Sequence, residues 1–195
     1  TIYTHILSNY YCVTMTTTSA QETITGIAID YGVKNFAFVK FSYTPSSGQR
    51  HFHSFDVLQF SGTQKVKRMK ELLDFYATHV TPVDVVLGEQ QLSVNAVTLE
   101  MSNGLHLLCV QAGKRYVSVA PRNKYPAELK QDNYRTRKQY AIDRIAELML
   151  NAQTNESIVF SDEFVRDYLL IKKKDDVADC ILMCLWFDRT TTAKR

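Results

Sequence analysis

The run Ile24-Thr25-Gly26-Ile27-Ala28-Ile29-Asp30 is apolar and rich in β-branched residues until it stops on a carboxylate. A run of this kind reads as a core strand, and an acid at its end is out of place. A second apolar run, Val83-Asp84-Val85-Val86-Leu87-Gly88, also stops on an acid, Glu89. Two further acids, Asp176 and Asp179, open the strongly apolar stretch from Val177 to Phe187. Burying an unpaired carboxylate is so costly that such groups neutralise, pair or hold a metal. Four of them converging from separate segments describe an all-oxygen site for a divalent cation.

Around the first run, residues 24–31, 35–43 and 51–60 read as three strands, separated by a tight turn at Gly32 and the loop Pro45-Ser46-Ser47-Gly48. Connections this short predict an antiparallel meander. Val66, Met69, Leu73, Tyr76 and Val80 repeat at three and four residues and predict a helix that Pro82 ends. The run 83–88 is then a strand buried on both faces. Residues 94–112 form a helix stopped by Gly113, and 115–120 a strand ended by Pro121. A polar, basic loop over 122–135 leads to helices at 136–151 and 174–188, with a short helical piece near 161–170. The expectation is an α/β fold with a mixed five-stranded sheet, three antiparallel strands followed by two parallel ones, flanked by helices. Residues 1–21, rich in Thr, Ser and Tyr, read as a flexible lead in which Met15 is a candidate start; 22–190 is one domain and 191–195 a flexible tail.

A hydrophobic share of 45% and a charged share of 22% over 195 residues describe an ordinary globular chain with room for a substantial core. No apolar stretch approaches the roughly 20 residues of a membrane span, and no signal peptide is read, so the expected setting is intracellular. Cys12, Cys109, Cys180 and Cys184 form no CxxC pair, which fits a reducing compartment; Cys180 and Cys184 belong to core packing. The net charge of +3 is unevenly spread. Lys114 to Arg144 holds nine basic residues against three acidic ones, leaving the rest of the chain acidic. Tyr116, Tyr125, Tyr134 and Tyr140 are interleaved with them, the pairing that phosphate contact and base stacking use, though a solvated basic face reads the same way.

Taken singly, the acids are unspecific. Asp30-Tyr31-Gly32 also suits an ordinary turn, and Glu89 suits a strand end. Asp176-Val177-Ala178-Asp179 is more telling, because residues three apart share a helix face and the first turn favours anions. Lys172-Lys173-Lys174 offers these acids ion pairs, yet the helix they open runs straight into Cys180-Ile181-Leu182-Met183-Cys184-Leu185-Trp186, so its first turn stands near the core.

The ordered set resembles the RuvC-type Holliday junction resolvases of the RNase H-like superfamily, in the form found in poxvirus and fungal mitochondrial resolvases. Ile29-Asp30-x-Gly32-x-x-Asn35 is similar to that family's first motif, Glu89-Gln90-Gln91-Leu92 to its second, and Lys173-Lys174-Asp175-Asp176-Val177-Ala178-Asp179 to its last. The resemblance spans residues 24–188. It implies that Asp30, Glu89, Asp176 and Asp179 bind metal, with Asp175 ranked below Asp176 because only Asp176 gives the Asp-x-x-Asp spacing. Lys138, in Tyr134-Arg135-Thr136-Arg137-Lys138, falls where the family places a functional lysine.

The same resemblance implies two Mg²⁺ or Mn²⁺ ions about 4 Å apart, with Asp30 bridging them. Hydrolysis would leave 5′-phosphate and 3′-hydroxyl ends. It implies branched DNA as substrate, a homodimer making two symmetric nicks, and no membrane. Backbone recognition would fall to Lys114, Arg115, Arg122, Lys124, Arg135 and Arg137. Leu92 stands where RuvC carries a stacking aromatic, leaving an apolar wedge. The row Val97, Met101, Leu105 and Leu108 reads equally as dimer interface or as core. The alternatives are another RNase H-like nuclease acting on RNA–DNA hybrid or structured RNA, and a non-catalytic branched-DNA-binding module. His51 and His53 alternate on a strand and read as surface residues.

Overall fold

The computed structural model describes residues 22–129, 132–152 and 156–191. Strands β1 (Ile24–Asp30), β2 (Phe36–Thr44) and β3 (Gln49–Leu58) form the expected antiparallel meander. Helix α1 (Lys65–Phe75), prolonged by a π-helical turn over Tyr76–Val80, leads to β4 (Val85–Glu89), α2 (Ala96–Gln111) and β5 (Arg115–Val119). Helix α3 (Tyr134–Asn151), strand β6 (Ile158–Phe160) and helices α4 (Asp162–Leu170) and α5 (Lys174–Thr191) follow. The expectations for 1–21 and for the 191–195 tail lie outside the described residues, save Thr191, which belongs to α5.

The sheet order is β5-β4-β1-β2-β3-β6, six strands where five were expected. The sixth has three residues, too few to show an alternation in sequence, and exists by pairing in parallel with Arg50–Phe52 of β3. β1 pairs in parallel with β4, and β4 with β5, so only β2 runs against the rest. The carboxyl ends of β1, β4 and β5 therefore stand along one edge, the place where α/β sheets bind ligands.

Period-two alternation divides the core. Ile27, Ile29, Phe36, Phe38 and Val86 face α1 and α2, while Ala28, Ala37, Val39, Val85 and Leu87 face α3, α4 and α5. Helix α1 is rotated from the expected stripe. Leu72 and Phe75 are buried and Val66 and Leu73 are exposed, because Arg68 takes a core-facing position and donates to Ser61 O and Gly62 O at 3.0 Å each. On α2, Met101 and Leu105 are fully buried and belong to the core, while Val97 and Leu108 of the same row are half-buried. Gly113, at φ +66°, takes the left-handed conformation that ends α2. No helix among the described residues is long and apolar enough to cross a membrane.

Candidate active site

Asp30 has the strand parity of Ala28, and Glu89 that of Val85 and Leu87, so both acids point to the α5 side of the sheet. The parallel register pairs Ile29 with Gly88, which sets Asp30 and Glu89 side by side one residue further on. Helix α5 crosses this face. Val177, Ala178, Cys180 and Ile181 are fully buried, and the Cys180 thiol donates to Ala37 O at 3.5 Å. Packing the apolar body of α5 thus fixes its first turn over the strand ends, with Asp176 7% and Asp179 3% exposed. The four carboxylates line one cavity of about 420 Å³, which Asp175 does not line.

Two lysines are woven between the acids. Lys124, whose side chain is 1% exposed, donates to Glu89 Oε1 at 2.7 Å and stands 3.2 Å from Asp179 Oδ2. Lys138 Nζ lies 2.8 Å from Asp179 Oδ2, 3.1 Å from Asp176 Oδ1 and 3.5 Å from Asp175 Oδ2. The Tyr125 hydroxyl donates to the other Asp179 oxygen at 2.7 Å. Helix α3 starts two residues before the expected boundary because Asn133 caps it, its Oδ1 accepting from Thr136 N at 3.0 Å. Lys138 consequently sits one turn into that helix, aimed at α5. Of the Lys172–Lys174 run, Lys173 stands 3.5 Å from Asp175 and 3.7 Å from Asp176, while Lys174 caps α4 through Leu169 O and Ile171 O.

These contacts split the acids electrostatically. Burial drives the Asp30 carboxyl well above its ordinary range, and Glu89 beside it adds like charge and a hydrogen bond. Asp176 is also raised, by burial first, with Lys138 opposing. Burial would raise Asp179 too, but Lys124 and then Lys138 outweigh it and hold that carboxyl below its usual value. For both lysines burial opposes the charge. It is outweighed by Asp179 and Glu89 at Lys124, and by Asp179 and Asp30 at Lys138, so each stays firmly protonated.

Among the described residues no three His, Cys, Asp or Glu side chains form a ready-made cation cage, since ammonium groups stand between the acids. The donor chemistry nonetheless fits a hard divalent cation. Four carboxylates outnumber the two enclosed ammonium groups, and Asp176 Oδ2 is buried with no hydrogen-bond partner. Asp30 and Glu89 crowd each other with like charge that a cation would relieve.

The basic residues expected to meet DNA are divided by the structure. Arg137 lines the cavity, and Arg122 and Arg135 are exposed on the segments flanking it. Lys124 is not a surface contact at all; it is enclosed among the acids. Lys114 precedes β5 and Arg115 begins it, at the far end of the sheet. There Lys114 donates to Thr81 O and Val83 O at 2.7 Å each, and the Arg115 guanidinium lies 5.1 Å from the centre of the Phe187 ring. Leu92 is 67% exposed and outside the cavity lining. His53 Nε2 lies 2.8 Å from Ser42 Oγ, away from the acids.

Lys124 and Tyr125 are the site residues that sequence reading missed as such. The signal was topological: residues just after β5 must stand beside the end of β4. On the opposite face, Tyr31 and Tyr116 join hydroxyls at 3.0 Å directly beneath Gly88, where a Cβ would lie 2.0 Å from Tyr116 Oη.

A mixed sheet with β1 at its centre, acids at the ends of β1 and β4, and two more on the closing helix define the RNase H-like fold of RuvC type. The chain matches the Poxvirus A22 protein family over residues 24–188 and belongs to that family. Among solved structures it is similar to the fowlpox virus resolvase in complex with substrate Holliday junction DNA. That match has a TM-score of 0.66 at 16% identity, covering 86% of this chain and 99% of that one. The yeast mitochondrial Holliday junction resolvase Ydc2 matches with a TM-score of 0.62 at 18% identity, over 86% and 80% of the two chains. RuvC of T. thermophilus, in complex with a Holliday junction substrate, matches with a TM-score of 0.50 at 14% identity, over 87% and 97%. No curated protein sequence matches significantly.

Proposed function

We propose that this chain is a divalent-metal-dependent DNA endonuclease that resolves four-way junctions by paired nicks. The observation that carries the reading is the convergence of Asp30, Glu89, Asp176 and Asp179 with Lys138 in a single cavity. Membership of a poxvirus family and the shared fold with junction-bound resolvases support DNA as the substrate. Mg²⁺ or Mn²⁺ ions, two by this reading, would supply activation of the attacking water and neutralisation of the leaving oxygen.

Asp30 would hold the ions from the end of the central strand, since it lines the cavity together with Glu89, Asp176 and Asp179. Glu89 on one side and Asp176 and Asp179 on the other complete the ligand set. Lys138 is a fixed positive charge facing the cavity and would stabilise charge developing on the scissile phosphate. Lys124 holds Glu89 and Asp179 at a set separation from beneath. Water oxygen bonds to phosphorus, the bond to O3′ breaks, and the departing oxygen takes a proton, leaving a 5′-phosphate and a 3′-hydroxyl. Two symmetric nicks require two such sites, and we assign the chain to a homodimer. Arg122, Arg135 and Arg137 would grip the backbone near the cut, giving a steep salt dependence.

The test is cleavage of a synthetic junction, a linear duplex and an RNA–DNA hybrid in Mg²⁺, with both nicks mapped. Paired, symmetric nicks on the junction are expected, and Asp179→Asn should bind the junction without cutting it. Preferential cleavage of the hybrid, or full activity in Asp179→Asn, would overturn the assignment.

A further inference from the structure

The cavity mouth carries one aromatic ring that the chemistry above leaves unused. Tyr134 is 65% exposed, lines the same cavity as the four acids, and opens α3 directly after the Asn133 cap. One turn on, Lys138 Nζ sits 5.5 Å from the centre of its ring while reaching Asp179 at 2.8 Å. Arg137 and, from the β1–β2 turn, Lys34 line the cavity as well. Tyr134 thus puts a largely hydrated π-face beside cations suited to a phosphate and within one lysine side chain of the acids. A tyrosine so placed offers an apolar face with a polar tip, the kind of ring that interfaces use and on which bases stack.

We propose that Tyr134 is the stacking platform for an unstacked nucleobase next to the scissile phosphate of branched DNA. The inference rests on the nuclease reading and deepens it. Bases at a junction's exchange point are the ones least held by neighbours, and every base has a π-face, so one tyrosine serves many sequences. With the backbone pinned by Arg137 and Lys34, a base laid on this ring fixes the register of the phosphate over the acids. Leu92, the residue expected to act as wedge, has neither a π-face nor a place in the cavity lining.

The experiment uses the whole chain in EDTA, so that binding is read without cleavage. The probe is a four-way junction carrying 2-aminopurine on either side of the mapped cut. Wild type and Tyr134→Phe should alter its fluorescence alike. Tyr134→Ala and Tyr134→Leu should lose that response and bind the junction about 5- to 150-fold more weakly, the range of one base–aromatic stack. Both should melt at the wild-type temperature, since the ring is exposed. If Tyr134→Ala binds and responds as wild type while its cleavage rate falls, the ring merely props Lys138 and the stacking proposal is overturned, with the nuclease reading intact. If wild type shows no preference for the junction over duplex, both fall together.

Discussion

Gly88→Ala is the smallest change that should disturb this site without touching a functional side chain. The added methyl carbon would lie 2.0 Å from Tyr116 Oη, 2.6 Å from Tyr116 Cζ and 3.1 Å from Tyr31 Oη. Ordinary carbon contacts begin near ~3.5 Å, so either Tyr116 or β4 must give by more than an ångström. Tyr116 has little room: its ring stacks on His106 at 4.4 Å, and its hydroxyl bonds Tyr31 at 3.0 Å and approaches Ser102 at 3.4 Å. Overpacking of this kind costs about 1–3 kcal/mol, and losing a hydrogen bond adds about 1 kcal/mol. Reduced freedom of the unfolded chain returns about 0.4–1 kcal/mol. A net loss of about 1–3 kcal/mol should lower the melting temperature by about 3–10 °C at this chain length.

The catalytic consequence follows from adjacency, because Glu89 is the next residue. If β4 shifts by an ångström to make room, junction cleavage should drop about 100-fold. Thermal unfolding and junction cleavage under a metal titration read both effects. Shortening the partner tests the cause: Gly88→Ala with Tyr116→Leu should recover most of the activity lost in Gly88→Ala alone. A Gly88→Ala protein that melts and cuts as wild type would refute the packing argument. Failure of Tyr116→Leu to rescue would refute the coupling through the hydroxyl pair.

Asp30→Asn should abolish cleavage yet raise the melting temperature of the metal-free protein at neutral pH. Burial and Glu89 hold the folded carboxyl well above its unfolded value, so its penalty is absent below about pH 4 and grows as pH rises toward the folded pKa; a gain that did not shrink on acidification would contradict this. Lys124→Met strands Glu89 and Asp179 and should cost about 3–5 kcal/mol in urea unfolding without metal. Mg²⁺ should restore more stability to Lys124→Met than to wild type, and an equal increment in both would remove Lys124 from the site. Asp176→Asn should lose cleavage while Asp175→Asn keeps most of it, since only Asp176 lines the cavity; the reverse order in a junction assay would reassign the ligand.

Much of this architecture was readable because its signals are periodic. The acids of β1 and β4 announced themselves by ending apolar runs, and Asp176 and Asp179 by their spacing ahead of an apolar helix. What escaped was tertiary. Lys124 looked like one more cation in a basic loop, and only the parallel placement of β5 beside β4 turns it inward. Arg68 displaced the expected stripe of α1 because two loop carbonyls accept from its guanidinium, which periodicity cannot foresee. Strand β6 is defined by its partner and not by its own three residues. Lys114 and Arg115 shared a charge run with Arg135 and Arg137, but a strand lies between them and carries them to opposite ends of the sheet.

The distribution of charge explains how such a site survives in a folded core. Asp179, the most enclosed of the α5 acids, is met by both ammonium groups and by the Tyr125 hydroxyl, so its burial is compensated from three directions. Asp30 accepts no lysine hydrogen bond among these contacts and faces Glu89, so burial and that like charge outweigh the opposing Lys124 and push it toward the neutral form. The lysines therefore secure Asp179 and, through Lys124, Glu89, while Asp30 is left as the acid whose burial is least offset and the strand side keeps an avidity for a cation. A core built only for stability would have replaced the Asp30–Glu89 contact with apolar groups, at little cost and some gain. Keeping two crowded carboxylates at the ends of adjacent parallel strands makes physical sense when something positive is meant to arrive between them, and Asp30 is where its arrival relieves most.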